Sequence, residues 1–206
     1  MEKLITCKIR ILCIYDRSCQ IEKKFFTIGI PREVYAIIQV IQAAFMLSHN
    51  IRKNTTLLLV FQEEGFMIKY IGKELHFLGP DARSIGLLLM KALTKRNLLE
   101  RRNIYQSTPG IWIEKVNMDE LLERISKDYE IIIADEKLDV QLTGFQSEKR
   151  IMLLLNNTKS PLEIQKEHSW KIGAKNQPNH SRAFLTILKF YSIFDNLKQE
   201  KENEIK

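Results

Sequence analysis

The stretch IWIEKVNMDELLERISKDYEIIIA, residues 111–134, decides the fold. IWIEKV at 111–116 is rich in β-branched and aromatic residues, which predicts a strand. From Asp119 to Lys127, Leu121, Leu122 and Ile125 recur at the 3–4 spacing of a helix that buries one face. EIIIA at 130–134 is apolar at nearly every position, the pattern of a strand covered on both sides. Strand, helix and strand in so short a span are the repeating unit of an α/β sheet.

The alternation continues outward. Downstream, IMLLL at 151–155 is another buried strand, PLEIQKEHS at 161–169 a short helix, WKI at 170–172 a short strand and AFLTILKFYSIF at 183–194 the last helix. The charged run LKQEKENEIK, 197–206, is expected as a disordered tail behind one domain over 1–196. Upstream, 4–15 reads as a strand and FFTIGI as a short second one. Pro31 opens a helix, where its missing N–H has no partner in any case. That helix carries Val34, Ile37, Ile38, Ile41 and Phe45 inward and should end near 48–50. TLLLVF at 56–61 is a buried strand, Glu63-Glu64-Gly65 a tight turn, FMIKYI at 66–71 a returning strand and KELHFL at 73–78 a third. Asp81 can cap a helix over 82–97, and 100–110 reads as a polar, basic loop. The expected fold class is therefore α/β, a mostly parallel sheet with helices on both faces. Ligands of such sheets sit beyond the carboxyl ends of the strands, at a topological switch point.

Composition narrows the function. The chain has 206 residues, 45% apolar and 28% charged, close to globular averages, which excludes a disordered or collagen-like chain. No apolar run reaches the ~18 residues of a spanning helix. The N-terminal segment is charged at Glu2, Lys3, Lys8 and Arg10, unlike a secretory leader. With 32 Lys and Arg against 25 Asp and Glu, the net charge of +7 suits a polyanionic partner, nucleic acid first, and equally a soluble protein with spare lysines. Cys7, Cys13 and Cys19 match no zinc or redox spacing and read as reduced thiols of a cytoplasmic protein. His76 falls in the expected strand at 73–78 and reads as structural, and His168 and His180 lack a Cys or Asp at ligand spacing, so no metal is expected.

Three clusters could carry chemistry. Ser48-His49-Asn50-Ile51-Arg52-Lys53 closes a helix, where cations complement the negative end of its dipole; the same loop could meet a phosphate or base. Asp81 is explained by capping, whereas Arg83 stands against the positive helix end and makes an anion site. Arg96, Arg101 and Arg102 precede Gln106-Ser107-Thr108-Pro109-Gly110, with Tyr105 beside them, a set suited to RNA phosphates and bases or to a solvated loop.

In this order, AFMLSHNIRKN, IKYIGKELHFLGPDARSIGLLLMKAL and STPGIWI resemble the archaeal tRNA pseudouridine-54 N1-methyltransferases of the SPOUT class. The matching positions run from Ser48, His49, Ile51 and Arg52 through Gly72, Glu74, Leu75, Pro80, Asp81 and Arg83 to Ser107, Thr108, Pro109, Gly110 and Ile111. The resemblance implies a C-terminal trefoil knot, a homodimer, S-adenosyl-L-methionine (SAM) as methyl donor and N1 of pseudouridine in the tRNA T-loop as acceptor. It implies substrate contacts from His49, Arg52, Asp81, Arg83, Ser107, Thr108 and Gly110. Leu155, Asn156, Ile172, Gly173 and His180 would hold the cofactor. The chain departs from the family at its C-terminal loops. Asn156-Asn157-Thr158 stands for Gly-Asp-His, Phe184 falls at a cysteine position, and Arg32-Glu33-Val34-Tyr35 lacks the family's aspartate. A cofactor-free, SPOUT-like RNA-binding dimer is the alternative those departures raise.

Overall fold

The computed structural model describes residues 9–135, 150–159, 170–173 and 181–203. Strand β1 (Ile9–Tyr15) leads through a four-residue helix α1 (Phe25–Ile28) to α2 (Arg32–Phe45). Then come β2 (Thr55–Phe61), β3 (Phe66–Ile71), α3 (Ala82–Leu93), β4 (Ile104–Thr108), β5 (Ile111–Lys115) and α4 (Met118–Asp128). The chain goes on through β6 (Glu130–Asp135), β7 (Ile151–Asn156) and β8 (Trp170–Gly173) to α5 (Arg182–Asn203). Residues 4–8 of the expected first strand, the expected helix at 161–169 with His168, and His180 lie outside the described residues, as does Cys7. Cys13 and Cys19 are free thiols.

One eight-stranded sheet, in the order β4-β5-β3-β2-β1-β7-β6-β8, holds these elements together. It is mixed rather than mostly parallel throughout. β2, β1, β7, β6 and β8 run parallel, while β3, β5 and β4 continue the sheet antiparallel, with β4 outside β5. The reason is local. Gly65, at φ 64°, closes the 62–64 turn, so the chain comes straight back beside β2. In the parallel block, β1 sends its chain to β2 on one side and β7 sends its chain towards β8 on the other. The carboxyl ends of β1 and β7 are the switch point.

The two faces are filled differently. Ile9, Ile11 and Cys13 of β1, with Leu57, Leu59 and Phe61 of β2, pack against α2, α3 and α5. Leu12, Ile14, Leu58, Val60 and Met67 point to the other face, where Ile125 of α4 meets them. Period-two alternation thus sends one strand's side chains into two cores.

Several sequence expectations need correction. FFTIGI is a helical turn, not a strand; Phe26 packs against Gly86 of α3, a tertiary contact that outweighs local strand preference. KELHFL is not a strand either. A 3-10 turn spans Gly72–Glu74, Leu75 is buried, and Phe77 projects into solvent. The polar loop at 100–110 contains an edge strand, β4, with alternate residues exposed. Helix α2 stops at Phe45, before the expected 48–50, and α3 stops at Leu93 and gives way to a 3-10 turn at Arg96–Glu100. α5 runs on to Asn203, into the stretch read as a tail.

Candidate functional site

The predicted substrate residues collect at one edge of the sheet, where β2 begins and β3 ends. Met46 and Ile51 form a bridge, so α2 turns sharply into β2 and His49 stands exposed at the tip. Arg52 is drawn inward. Its guanidinium donates to the carbonyls of Ala43 (3.3 Å) and Met46 (3.0 Å), closing the C-terminal end of α2, and lies 3.8 Å from the centre of the Tyr191 ring of α5. The Tyr191 hydroxyl shares a 2.6 Å hydrogen bond with Thr55 and donates to the carbonyl of Ala44. Burial is the main cause that pushes the Tyr191 phenol up to about 12.

Backbone contacts join the other motifs to this corner. A Cβ on Gly72 would overlap the Arg52 carbonyl oxygen and lie 2.9 Å from that of Thr55. Gly110 has φ 78°, a Cβ there would sit 2.6 Å from the backbone at Glu74 and Leu75, and its carbonyl accepts from the amide of Ile71. The Gly72-Lys73-Glu74-Leu75 and Ser107–Gly110 motifs are thus stacked on the residue pair Arg52 and Thr55. Ser107 and Thr108 bring buried hydroxyls to the layer, and neither has a hydrogen-bond partner among the described residues. Asp81 caps α3, its carboxylate accepting from the amide of Ser84 at 2.8 Å, as the sequence suggested. Gln42 of α2 donates to the carbonyl of Pro80, which ties this helix start to the same edge. Arg83 is exposed beside it.

The predicted cofactor residues stand at the opposite edge. Leu155 and Ile172 are buried just inside the carboxyl ends of β7 and β8. Asn156 ends β7 and turns its amide oxygen back on its own loop, where it accepts from the amide (3.2 Å) and the hydroxyl (2.8 Å) of Thr158. The carbonyl of Gly173 accepts from the amine of Lys189 on α5. Sequence reasoning missed Asp16, which closes the switch point. Its carboxylate accepts from Gln62 (3.1 Å) and from the amide of Lys159 (3.3 Å), tying β1, β2 and the chain after β7 together. Its place just past an apolar strand was the signal.

The register gives the separation. Thr55 faces Ile9, and Ile9 faces Ile151, whereas Asn156 lies five residues further along β7. At about 3.3 Å per residue the two edges stand roughly 16 Å apart.

A family model described as "Putative SAM-dependent RNA methyltransferase" matches residues 33–169. The tRNA (pseudouridine(54)-N(1))-methyltransferase of Haloferax volcanii is 33% identical over 99 residues, 48% of this chain and 50% of that protein. The enzyme of that name from Methanocaldococcus jannaschii is 35% identical over 91 residues, 41% and 44% of the two chains. The match thus spans about half the length of these curated relatives. A third, from Methanococcus vannielii, aligns at 27% over 175 residues, 79% of this chain and 84% of that protein. Among solved structures, Archaeoglobus fulgidus Nep1 bound to S-adenosylhomocysteine superposes with a TM-score of 0.53 at 9% identity, over 94% of this chain and 99% of that one, a likeness of fold.

Proposed function

The chain belongs to this family of SAM-dependent RNA methyltransferases, and we propose that it methylates N1 of pseudouridine 54 in the T-loop of tRNA. The reading is supported by one observation above all. The family match over 33–169 takes in every motif from His49 to Asn156 and ends just before β8. The named relatives carry that activity in their names.

The described cofactor residues fit the donor. Leu155 and Ile172 give buried apolar walls at the ends of two parallel strands. Asn156, where the family has glycine, folds its side chain against Thr158, so the substitution is accommodated within its own turn. Leu155, Asn156, Ile172, Gly173 and, outside the described residues, His180 would hold the cofactor, with the C-terminal chain knotted around it. SAM, when bound, supplies an electrophilic methyl group on a sulfonium. The chain's own task is to hold the acceptor nitrogen in line and to shield the site from water.

One chain keeps substrate and cofactor residues at opposite edges, roughly 16 Å apart on the strand rise. The reading therefore includes a homodimer, in which the edge bearing His49, Asp81 and Arg83 in one copy meets the carboxyl edge of the other. Arg52, committed to the end of α2, and the Ser107–Gly110 turn would form the floor under the RNA, while exposed His49 and Arg83 would touch it. The working unit would be a single cytoplasmic domain that includes α5 and needs no metal.

Titration calorimetry with SAM and S-adenosylhomocysteine, followed by tritium transfer from labelled SAM to a tRNA that carries pseudouridine at position 54, tests the reading. Micromolar binding, about −8 kcal/mol, with label lost when position 54 cannot be pseudouridine, is the expected result. A folded protein that binds tRNA with no heat from either compound would instead be the cofactor-free RNA binder.

A further inference from the structure

The second face of the sheet carries a groove that neither edge accounts for. Among the described residues α4 alone lies on that face. Beside it, a cavity of about 630 Å³ opens over the beginnings of β1, β2 and β7 and the end of β3. Its floor is apolar, made of Leu58, Met67, Ile71 and Met152.

The rim is cationic. Arg150 stands just before β7, Arg10 near the start of β1, Lys53 just before β2 and Lys73 just after β3. Those four strands are neighbours about 4.8 Å apart, so the four cations form a row roughly 14 Å long. Arg124 stands on the α4 wall. Arg10 lies over the ring of Tyr129 at 5.0 Å. Lys53, Lys73, Arg124 and Arg150 have no ion-pair partner among the described residues. Of the lining acids, Glu114 is already paired with Lys69 at 2.7 Å, which leaves Glu74 and Asp128.

A row of like charges repels itself, and a polyanion laid along it removes the repulsion. The charges are spread out rather than converging on one point, which suits a chain of phosphates better than a single small anion. We propose that this groove binds the sugar-phosphate backbone of RNA, as a docking surface on the face of the sheet away from α2, α3 and α5. It rests on the RNA methyltransferase reading and adds a contact that holds tRNA without touching the reacting base. Contacts of this kind position without reading sequence.

The test uses the full chain and a tRNA transcript, with affinity read by fluorescence anisotropy across a salt series. In K73A/R124A/R150A, three exposed cations are removed without disturbing the core. The affinity should fall on the order of 100-fold near 0.1 M salt, and the slope of log K against log salt should drop by about 2–3. K73R/R124K/R150K keeps the charges and should bind within about threefold of the parent. Both variants should bind S-adenosylhomocysteine as the parent does. A parent that binds tRNA and an alanine variant that binds it equally well, with the same slope, would overturn the groove while leaving the methyltransferase reading intact. So would an alanine variant that keeps tRNA but loses binding to a polyglutamate peptide, which would make the groove a seat for an acidic protein. A parent that fails to bind tRNA at any salt would sink both.

Discussion

At the amino-terminal edge of the parallel strands, the motif residues hold one another. Gly72 lies against Arg52, Gly110 against Glu74, and Arg52 against the end of α2 and the ring of Tyr191. At the carboxyl edge, among the described residues, the amide oxygen of Asn156 accepts from Thr158 in its own turn, and the carbonyl of Gly173 accepts from Lys189. Substitutions at the first edge must pass through close-packed backbone, and those at the second need only keep a turn. The difference gives a physical reason for the motifs that carry the family resemblance to lie at the first edge and the departures from it at the second. A backbone-lined site can change side chains and keep its shape.

The contrast would break first at the glycines. Gly110→Val requires a branched residue at φ 78° and drives its Cβ into the Glu74 backbone. We expect a loss of more than about 4 kcal/mol in urea unfolding, strain and overlap together. A loss below about 1 kcal/mol would show that the motifs are not stacked as described.

Arg52→Ala should cost about 3 kcal/mol, since two hydrogen bonds from a charged group and a ring contact disappear together. Arg52→Lys, which loses the planar fork, should recover only part of it. If Arg52→Ala leaves stability unchanged but abolishes tRNA binding, Arg52 is a ligand contact and not the seal of α2.

Tyr191→Phe should cost about 1–2 kcal/mol, through the bonds to Thr55 and Ala44. The phenol also gives a pH signature. Its folded value of about 12 lies above the ordinary 10.0, so between those values the unfolded chain loses the proton while the folded chain keeps it. Its contribution is therefore complete below pH ~10 and lost as the pH rises towards ~12. The thiol of Cys19, pushed up to about 11 chiefly by burial, adds in the same direction. Melting temperatures above pH 9 should fall more steeply for the parent than for Tyr191→Phe.

The carboxyl edge should respond weakly. Asn156→Gly gives up its contacts to Thr158 and should cost about 1 kcal/mol, with affinity for S-adenosylhomocysteine changed less than about threefold. A tenfold gain would mean that the asparagine intrudes on the pocket. The smallest change in stability belongs to Arg83→Ala, within about 0.5 kcal/mol.

What the sequence disclosed follows the same division. Buried strands such as TLLLVF and IMLLL announce themselves, because strands covered on both faces are continuous apolar runs. β4 stayed hidden because an edge strand alternates exposed Ile104 and Gln106 with half-buried Tyr105. KELHFL misled because Leu75 and Phe77 alternate like a strand, while the real constraint is the approach of Gly110 to the backbone there, which no local pattern records. The motifs were legible by resemblance, but that Arg52 would serve α2 and that Asp16 would close the switch point depend on partners far along the chain. The cationic row was invisible for the same reason. Arg10, Lys53, Lys73 and Arg150 are scattered in sequence and become neighbours only through the strand order.

The claim that substrate and cofactor edges meet only between two copies has a direct measurement. A variant disabled at the amino-terminal edge, H49A/R83A, is mixed after co-refolding with one disabled at the carboxyl edge, Asn156→Trp, and methyl transfer to tRNA is followed. A site shared between copies predicts recovery to about a quarter of the parental rate, because half the dimers are mixed and each of those holds one intact site. A mixture no more active than either variant alone, beside an active parent, would contradict the account.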